Sequence, residues 1–397
     1  MRLALWSPRV GGGWPAALAP LLARETRLHL VSTEARAFPE ADLDIYHVMD
    51  DPAHGFVYRA LLERPGLVVL EEWGLHRLIQ AETIGRGDEE TYRRELRRAH
   101  GERGSFVARQ VLRGRGGLLP AMLPVNERVL ESSLGVVATT ATVRRAAATC
   151  LPGRPVIHLP LDFLGLPSLP GRAPARHALS LDDDGVLILV IQHAHEVAPP
   201  GPGAPILERL REAEPRAEVV QASEADPSLP SRLAAADVVV ALECPSRASL
   251  GTAVPLAVSS GIPTLVSAGS GAARELPEGV VARVSPGPTE TDEAVAIVQR
   301  LVTDDSLRLR MSRQARVFAA RRRDPSRCVG PLLDMARTIA RTMVAMKEAF
   351  AVRRAEEGSL AATALDEVRC GARELGVMEL PPGLVPLVAG LFEREGS

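Results

Sequence analysis

Hydrophobic positions along this chain fall into two alternating series of strand and helix. The apolar strand Arg2 to Trp6 runs directly into SPRVGGG, and a helix starts near Trp14 and Pro15 and continues to Arg24. Further apolar strands follow at Leu28–Ser32, Ile45–Met49 and Leu67–Glu71, with a helix from about Ala53 to Glu63 between the last two. A strand that is apolar on both faces belongs in a parallel sheet covered by helices on each side. WGLHRLIQAETIGRGDEETYRRELRRAHGERG is helical in pattern with an interruption at GRGD. Strand and helix signals return at LGVVATTATVRRAAATC and PVIHLP.

The second series begins at Val186 with VLILVIQ and continues through ILERLREA, AEVVQAS and LPSRLAAA to its clearest unit, residues 236–279. There Val238, Val239 and Val240 form a buried strand, Ser249 is a plausible N-cap for a helix to Ser260, and Gly261 stops that helix in the left-handed conformation. A second strand, TLVSA, and the loop GSGAARELP complete a right-handed βαβ unit. VVARV and two amphipathic helices carry the series to about Arg323, and the pattern from Pro331 onward is helical, with breaks at Gly358 and Pro381–Pro382. The expected fold class is α/β: two Rossmann-like doubly wound domains in series, residues 1–165 and 185–325. Residues 166–184, rich in Pro, Gly and charge, read as the linker, and 326–397 as a helical extension.

A chain of 397 residues has room for two such domains and an appendage. Hydrophobic content of 46% supports two cores, which at 3% aromatics must be built from Leu, Val and Ala. The net charge of −2 gives no electrostatic reason to expect a nucleic-acid partner. Lys347 is the sole lysine, which removes lysine-based catalysis from most of the chain. Cys150, Cys244, Cys328 and Cys370 lack metal-ligand spacing and suit a reducing cytosol. The N-terminus has no signal-peptide pattern, and no run approaches the roughly 20 apolar residues of a membrane span. A soluble cytoplasmic protein is expected.

Several positions carry candidate chemistry. Gly11, Gly12 and Gly13 stand between a strand and a helix, where a backbone without side chains can approach an anionic or hydroxyl-rich ligand. Glu71 and Glu72 end a strand where open α/β sheets bind ligands, and their alternation sends one of them away from the cleft. His76 reads equally well as a structural histidine, and His54 as a site-rim or helix-capping residue. Arg321, Arg322 and Arg323 read as a solvated helix end, and the Arg-rich YRRELRRAHGERG as an exposed salt-bridged face.

The stretch YHVMDDPAHGFVYRALLERPGLVVLEEWGLHRLI resembles bacterial nucleotide-sugar glycosyltransferases of the two-Rossmann (GT-B) type, through Tyr46, Pro52, His54, Tyr58, Pro65, Gly66, Leu70, Leu75 and His76. Tyr92, the glycines of HGERG, NERVLESSLGVV, AADVVVALECPS, AVSSGIPTLVSAGSGAARELPEGV and DDSLRLRMSRQARVFA add to the likeness, which spans residues 1–325. The resemblance implies that the two domains face across a cleft, and it implies transfer of a sugar from a nucleotide sugar to an acceptor, with retention, without a metal and with no other cofactor. It implies backbone N–H groups of Gly11, Gly12 and Gly13 near the diphosphate. Gly269, Ser270 and Gly271 would frame the donor sugar, with Glu275 orienting it. Glu71 or His76 would orient the acceptor, with His54 and Glu72 on the acceptor side.

The charged chemistry departs from that pattern. The family's Arg and Lys after the first strand of the second domain are replaced by IQHAHEVAPPGPG, which leaves His193 and His195 as the candidate cations. Its two acids across the helix after ADVVVAL fall on Ala248 or Ser249 and on Leu256, and its LHD motif reads Leu70-Glu71-Glu72. These losses support a competing expectation, a catalytically silent glycosyltransferase-like subunit that binds a partner enzyme or a glycan. A nicotinamide-dependent enzyme fits poorly, because SPRVGGG is not G-x-G-x-x-G and no clear acid stands after the second strand to hold a ribose.

Overall fold

The computed structural model describes residues 1–9, 11–35, 37–117, 119–192, 203–224, 226–242, 249–356, 367–368, 371–372 and 383–384. Its first half alternates β1 (Arg2–Trp6), α1 (Gly13–Glu25), β2 (Arg27–Val31), β3 (Leu43–Val48), α2 (Gly55–Glu63), β4 (Gly66–Leu70), α3 (His76–Glu82), α4 (Glu89–Leu112), α5 (Leu119–Met122), α6 (Glu127–Ser132), β5 (Ser133–Ala138), α7 (Ala141–Cys150) and β6 (Val156–His158). After α8 (Arg172–Ala178) come β7 (Val186–Gln192), α9 (Gly203–Ala213), β8 (Ala217–Ser223), α10 (Leu229–Ala235), β9 (Val238–Ala241), α11 (Ala253–Ser260), β10 (Thr264–Ser267), α12 (Gly271–Glu275) and β11 (Ala282–Val284). Three helices follow, α13 (Glu290–Thr303), α14 (Asp305–Arg322) and α15 (Ser326–Glu356).

The strands pair in parallel into two sheets, ordered β2-β1-β3-β4-β5-β6 and β11-β10-β9-β7-β8. Both are wound alike: the first strand sits between the second and third, so the order reverses between β1 and β3 and again between β7 and β9. Ligands of open α/β sheets bind at such reversals, beyond the carboxyl ends of the strands. The α/β architecture of two doubly wound sheets is therefore the one the hydrophobic pattern implies. β4 and β9 are buried along their whole length, as a covered parallel sheet requires. The last helix, α15, returns to the first sheet, where Leu332, Leu333, Ala336 and Ile339 join a core with Leu3, Leu67 and Leu134.

The start of the connection between the sheets and part of α8 are buried, while most of residues 165–184 are exposed or half-buried. Leu161 and Leu164 belong to the core of the first sheet, and Phe163 to that of the second. Gly165 takes φ +64°, and a Cβ there would lie 1.9 Å from the carbonyl oxygen of Gly13, so this turn presses against the glycine loop as only glycine can. Arg176 is buried and donates to the carbonyls of Asp182 and Ala235 at 2.8 Å each, to that of Gly185, and to Asp237 Oδ2 at 3.3 Å.

One boundary differs from expectation. Helix α11 begins at Ala253, not at Ser249. Gly251 at φ +64° turns the chain out of helical geometry, and the carboxylate of Glu224 accepts from the N–H groups of Thr252 (2.8 Å) and Ala253 (3.1 Å). A cap supplied from 28 residues away leaves Ser249 free to point elsewhere.

Replacing Arg176 by Met strips the charge from this junction while roughly keeping its volume. Loss of one partner of a buried pair costs on the order of 3 kcal/mol, which urea unfolding of the Arg176→Met variant should register as a lowered midpoint.

Candidate functional site

At the reversal point of the first sheet, the loops after β1, β3 and β4 bring together residues far apart in sequence. Ser7 Oγ accepts from the backbone N–H of Arg9 (3.0 Å), so its own proton faces His47 Nδ1 at 2.8 Å. The opposite ring nitrogen, His47 Nε2, donates to Glu71 Oε1 at 2.7 Å, and the same oxygen accepts from Trp14 Nε1 at 3.0 Å. The Trp14 and His47 rings meet edge-on, with centroids 4.9 Å apart. Burial acts to raise the Glu71 carboxyl, but His47, Arg9 and His54 outweigh it and hold the group down at about 2. Its side chain is 17% exposed, so a charge that persists through the physiological range lies at the crevice surface.

His54 stands behind this network. Its Nδ1 donates to the His47 carbonyl at 2.8 Å, its ring meets that of His47 at 4.6 Å, and its Nε2 is buried without a partner. Burial and the neighbouring His47 push it down to about 3, which keeps it neutral. Ser7, His47 and Glu71 are chained as in a hydrolytic triad, but Ser7 is fully buried and cannot reach a substrate. The chain orients Glu71.

The two adjacent glutamates diverge, as strand alternation requires. Glu72 Oε2 accepts from the N–H of Asp50 (3.1 Å), and Glu72 Oε1 accepts from Ser249 Oγ of the second half at 2.7 Å. Asp50 in turn accepts from the N–H of Leu78 at the start of α3, and burial together with the charge on Glu72 pushes it up to about 7. Glu275 makes the return contact. Its Oε1 accepts from the N–H of Ala141, the first residue of α7, at 2.5 Å, and His158 Nε2 lies 3.6 Å from its other oxygen. Between the two halves sits Asp162, which burial and the charges of Glu71 and Glu275 push up to about 8.

The remaining sequence candidates fall as follows. Gly11 and Gly12 have open space where a Cβ would point, and Gly13 takes φ +60°. Ser270 is buried and caps α12 by accepting from the N–H of Ala273 at 3.2 Å, beside the buried Gly271 and the half-buried Gly269. His76 is buried in the first domain, with Nε2 against the Tyr92 hydroxyl, and burial pushes it down to about 4. It shares no hydrogen bond with the Glu71 network. His193 and His195 lie outside the described residues. Among the described residues, no three His, Cys, Asp or Glu side chains are arranged to hold a metal ion. A groove of about 760 Å³ runs along the opposite, amino-terminal edge of the second sheet, beside Asp237 and Pro263, away from this crevice. No described helix is long and apolar enough to cross a membrane.

Sequence reasoning missed Ser7, Trp14, His47, Ser249 and Asp162. Only His47 left a signal, as a histidine inside the otherwise apolar strand LDIYHV, seven residues before His54.

No family model matches this chain, and no curated protein matches it. Among solved structures, sucrose-phosphate synthase from Thermosynechococcus elongatus is 14% identical, with a TM-score of 0.46 over 89% of this chain and 100% of that one. Anabaena Alr3699/HepE in complex with UDP and glucose is 13% identical, with a TM-score of 0.45 over 87% and 100%. A putative UDP-N-acetylglucosamine 2-epimerase from Listeria monocytogenes is 11% identical, with a TM-score of 0.40 over 81% and 94%. Likeness this distant reaches a synthase and a putative epimerase alike, and it does not choose between reactions.

The Glu71 network sets a dependence on pH. A carboxyl lowered from 4.5 to about 2 contributes stability that is present above pH 4.5 and lost as pH falls toward 2. The shift corresponds to about 3 kcal/mol. His47→Leu should therefore be destabilised relative to the parent above pH 5, with the gap closing as pH approaches 2. Chemical unfolding across that range measures it, and a gap independent of pH would separate Glu71 from His47.

Proposed function

We propose that this protein transfers a glycosyl group from a nucleotide sugar to an acceptor, with the donor lying between the two sheets. The observation that carries this reading is the Glu71 carboxylate, held ionised by His47 at the reversal point of the first sheet. Glycosyl transfer builds positive charge on the sugar ring as the diphosphate leaves, and an oriented carboxylate in a crevice stabilises that charge. Beside it, the side-chain-free Gly11 and Gly12 leave room for a diphosphate against the backbone. On this reading the reaction retains anomeric configuration and needs no metal ion. Glu72 forms the acceptor side, with the buried His54 behind it acting only through His47, and Gly269, Ser270, Gly271 and Glu275 form the donor side, assisted by His193 and His195.

A second reading also has a specific observation behind it. Glu72 and Glu275, two of the acids that would meet substrates, are engaged across the cleft with Ser249 and with Ala141. With the Arg and Lys after β7 also missing, the protein would be a silent subunit that binds a partner enzyme or a glycan.

Calorimetric titration with UDP, GDP, ADP and dTDP, followed by turnover of the matching nucleotide sugars, distinguishes them. The transferase reading expects one nucleotide to bind and its sugar to be consumed. Glu71→Gln should lower turnover by about a hundredfold while leaving nucleotide affinity nearly unchanged. Failure of every nucleotide to bind at millimolar concentration would contradict the transferase reading and favour the silent subunit.

A further inference from the structure

The two ends of α4 differ in what their arginines do. In the first part, Arg93 pairs with Glu89 and Glu90, Arg97 with Glu367 and Arg98 with Glu131, the salt-bridged face that the sequence suggests. Past the non-helical Gly101 (φ 58°, ψ −136°) this changes. Val107 and Ala108 face the core, while Arg103, Phe106, Arg109 and Arg113 are exposed. Their spacing of three and four residues puts them on one stripe with Phe106 at its middle. Among the described residues no carboxylate pairs with Arg103, Arg109, Arg113 or Arg115.

The chain then folds back on the helix end through Gly114 N–H to the Val111 carbonyl (2.9 Å) and Arg115 N–H to the Gln110 carbonyl (2.8 Å). Met122 follows on α5, which packs against α4. Phe106 and Met122 are 47% and 66% exposed. Exposed apolar side chains are costly to leave in water, and Phe106 has Arg103, Arg109 and Arg113 on its stripe, with Glu102 one turn before it; in a chain of net charge −2, residues 102–117 carry four Arg against one acid.

We propose that this face docks on an anionic lipid surface, with Phe106 and Met122 entering the interfacial layer and the four arginines meeting headgroup phosphates. An interfacial helix needs no overall hydrophobicity, only apolar anchors flanked by basic residues, and that is what residues 102–122 present. A protein or peptide ligand fits the surface less well. The anchors are exposed on two successive helices, α4 and α5, and the described cavities at residues 1–27, 167–323 and 172–308 do not include them. The inference rests on this surface alone and is independent of the proposed transfer reaction.

Co-sedimentation of the full chain with phosphatidylcholine vesicles, with and without phosphatidylglycerol, tests it. The chain is expected to pellet with the anionic vesicles, to stay in solution with the neutral ones, and to be released by salt. Phe106→Ser with Met122→Ser, and separately Arg109→Gln with Arg113→Gln, should each weaken partitioning about tenfold at unchanged thermal stability. Arg93→Gln with Arg97→Gln, on the paired half, should leave it unchanged. Partitioning into neither vesicle at low salt, equal partitioning into both, or variants that bind like the parent would each overturn the proposal. So would binding to a soluble acidic polypeptide that anionic vesicles fail to displace.

Discussion

Two carboxylates cross the cleft of this protein in opposite directions. Glu72, after the fourth strand in chain order of the first sheet, accepts a hydrogen bond from the hydroxyl of Ser249 in the second half. Glu275, at the end of a short helix in the second half, takes the N–H of Ala141 in the first. Hydrogen bonds to charged groups contribute roughly 1.5–3 kcal/mol each, and Glu275 also sits at the positive end of a ten-residue helix. The return of the last helix to the first sheet and the packed turn at Gly165 add covalent and steric limits to the same arrangement. Both acids are thus already engaged across the cleft.

The electrostatics of the cleft follow from how these acids are crowded. Glu71, with His47 and Trp14 on one oxygen, stays ionised far into the acid range. Asp50, which burial and Glu72 push up to about 7, and Asp162, which burial, Glu71 and Glu275 push up to about 8, are held toward the neutral form. Groups whose environments push them apart in this way mark places where charge and proton positions are controlled. An incoming diphosphate would add negative charge to a region already dense in carboxylates.

How much of this could be read from the sequence depended on the range of the interaction. Strands such as VVVA and GLVVL are apolar throughout because both faces are covered, so two covered parallel sheets were legible from pattern alone, whereas the order of their strands was not. The glycine loop and Glu71 were legible because they stand at the carboxyl ends of strands. The Ser7–His47 contact and the Trp14–Glu71 contact, separated by 40 and 57 residues, were not, because only the folded sheet brings them together. Ser249 looked like a helix cap because its neighbours follow the local capping rule. The actual cap, Glu224, is distant in sequence, which left Ser249 to cross to the other half. His76 drew attention through its place in a motif, yet a core formed with Tyr92 absorbed it.

Small-angle scattering of the chain with Glu72→Ala and Glu275→Ala combined, compared with the parent, tests most directly whether these carboxylates hold the halves together. The account predicts a larger radius of gyration and a broader distance distribution in the double variant, with secondary structure unchanged by circular dichroism. Superimposable scattering curves for the two proteins would show that the interface stands without them, and would contradict it.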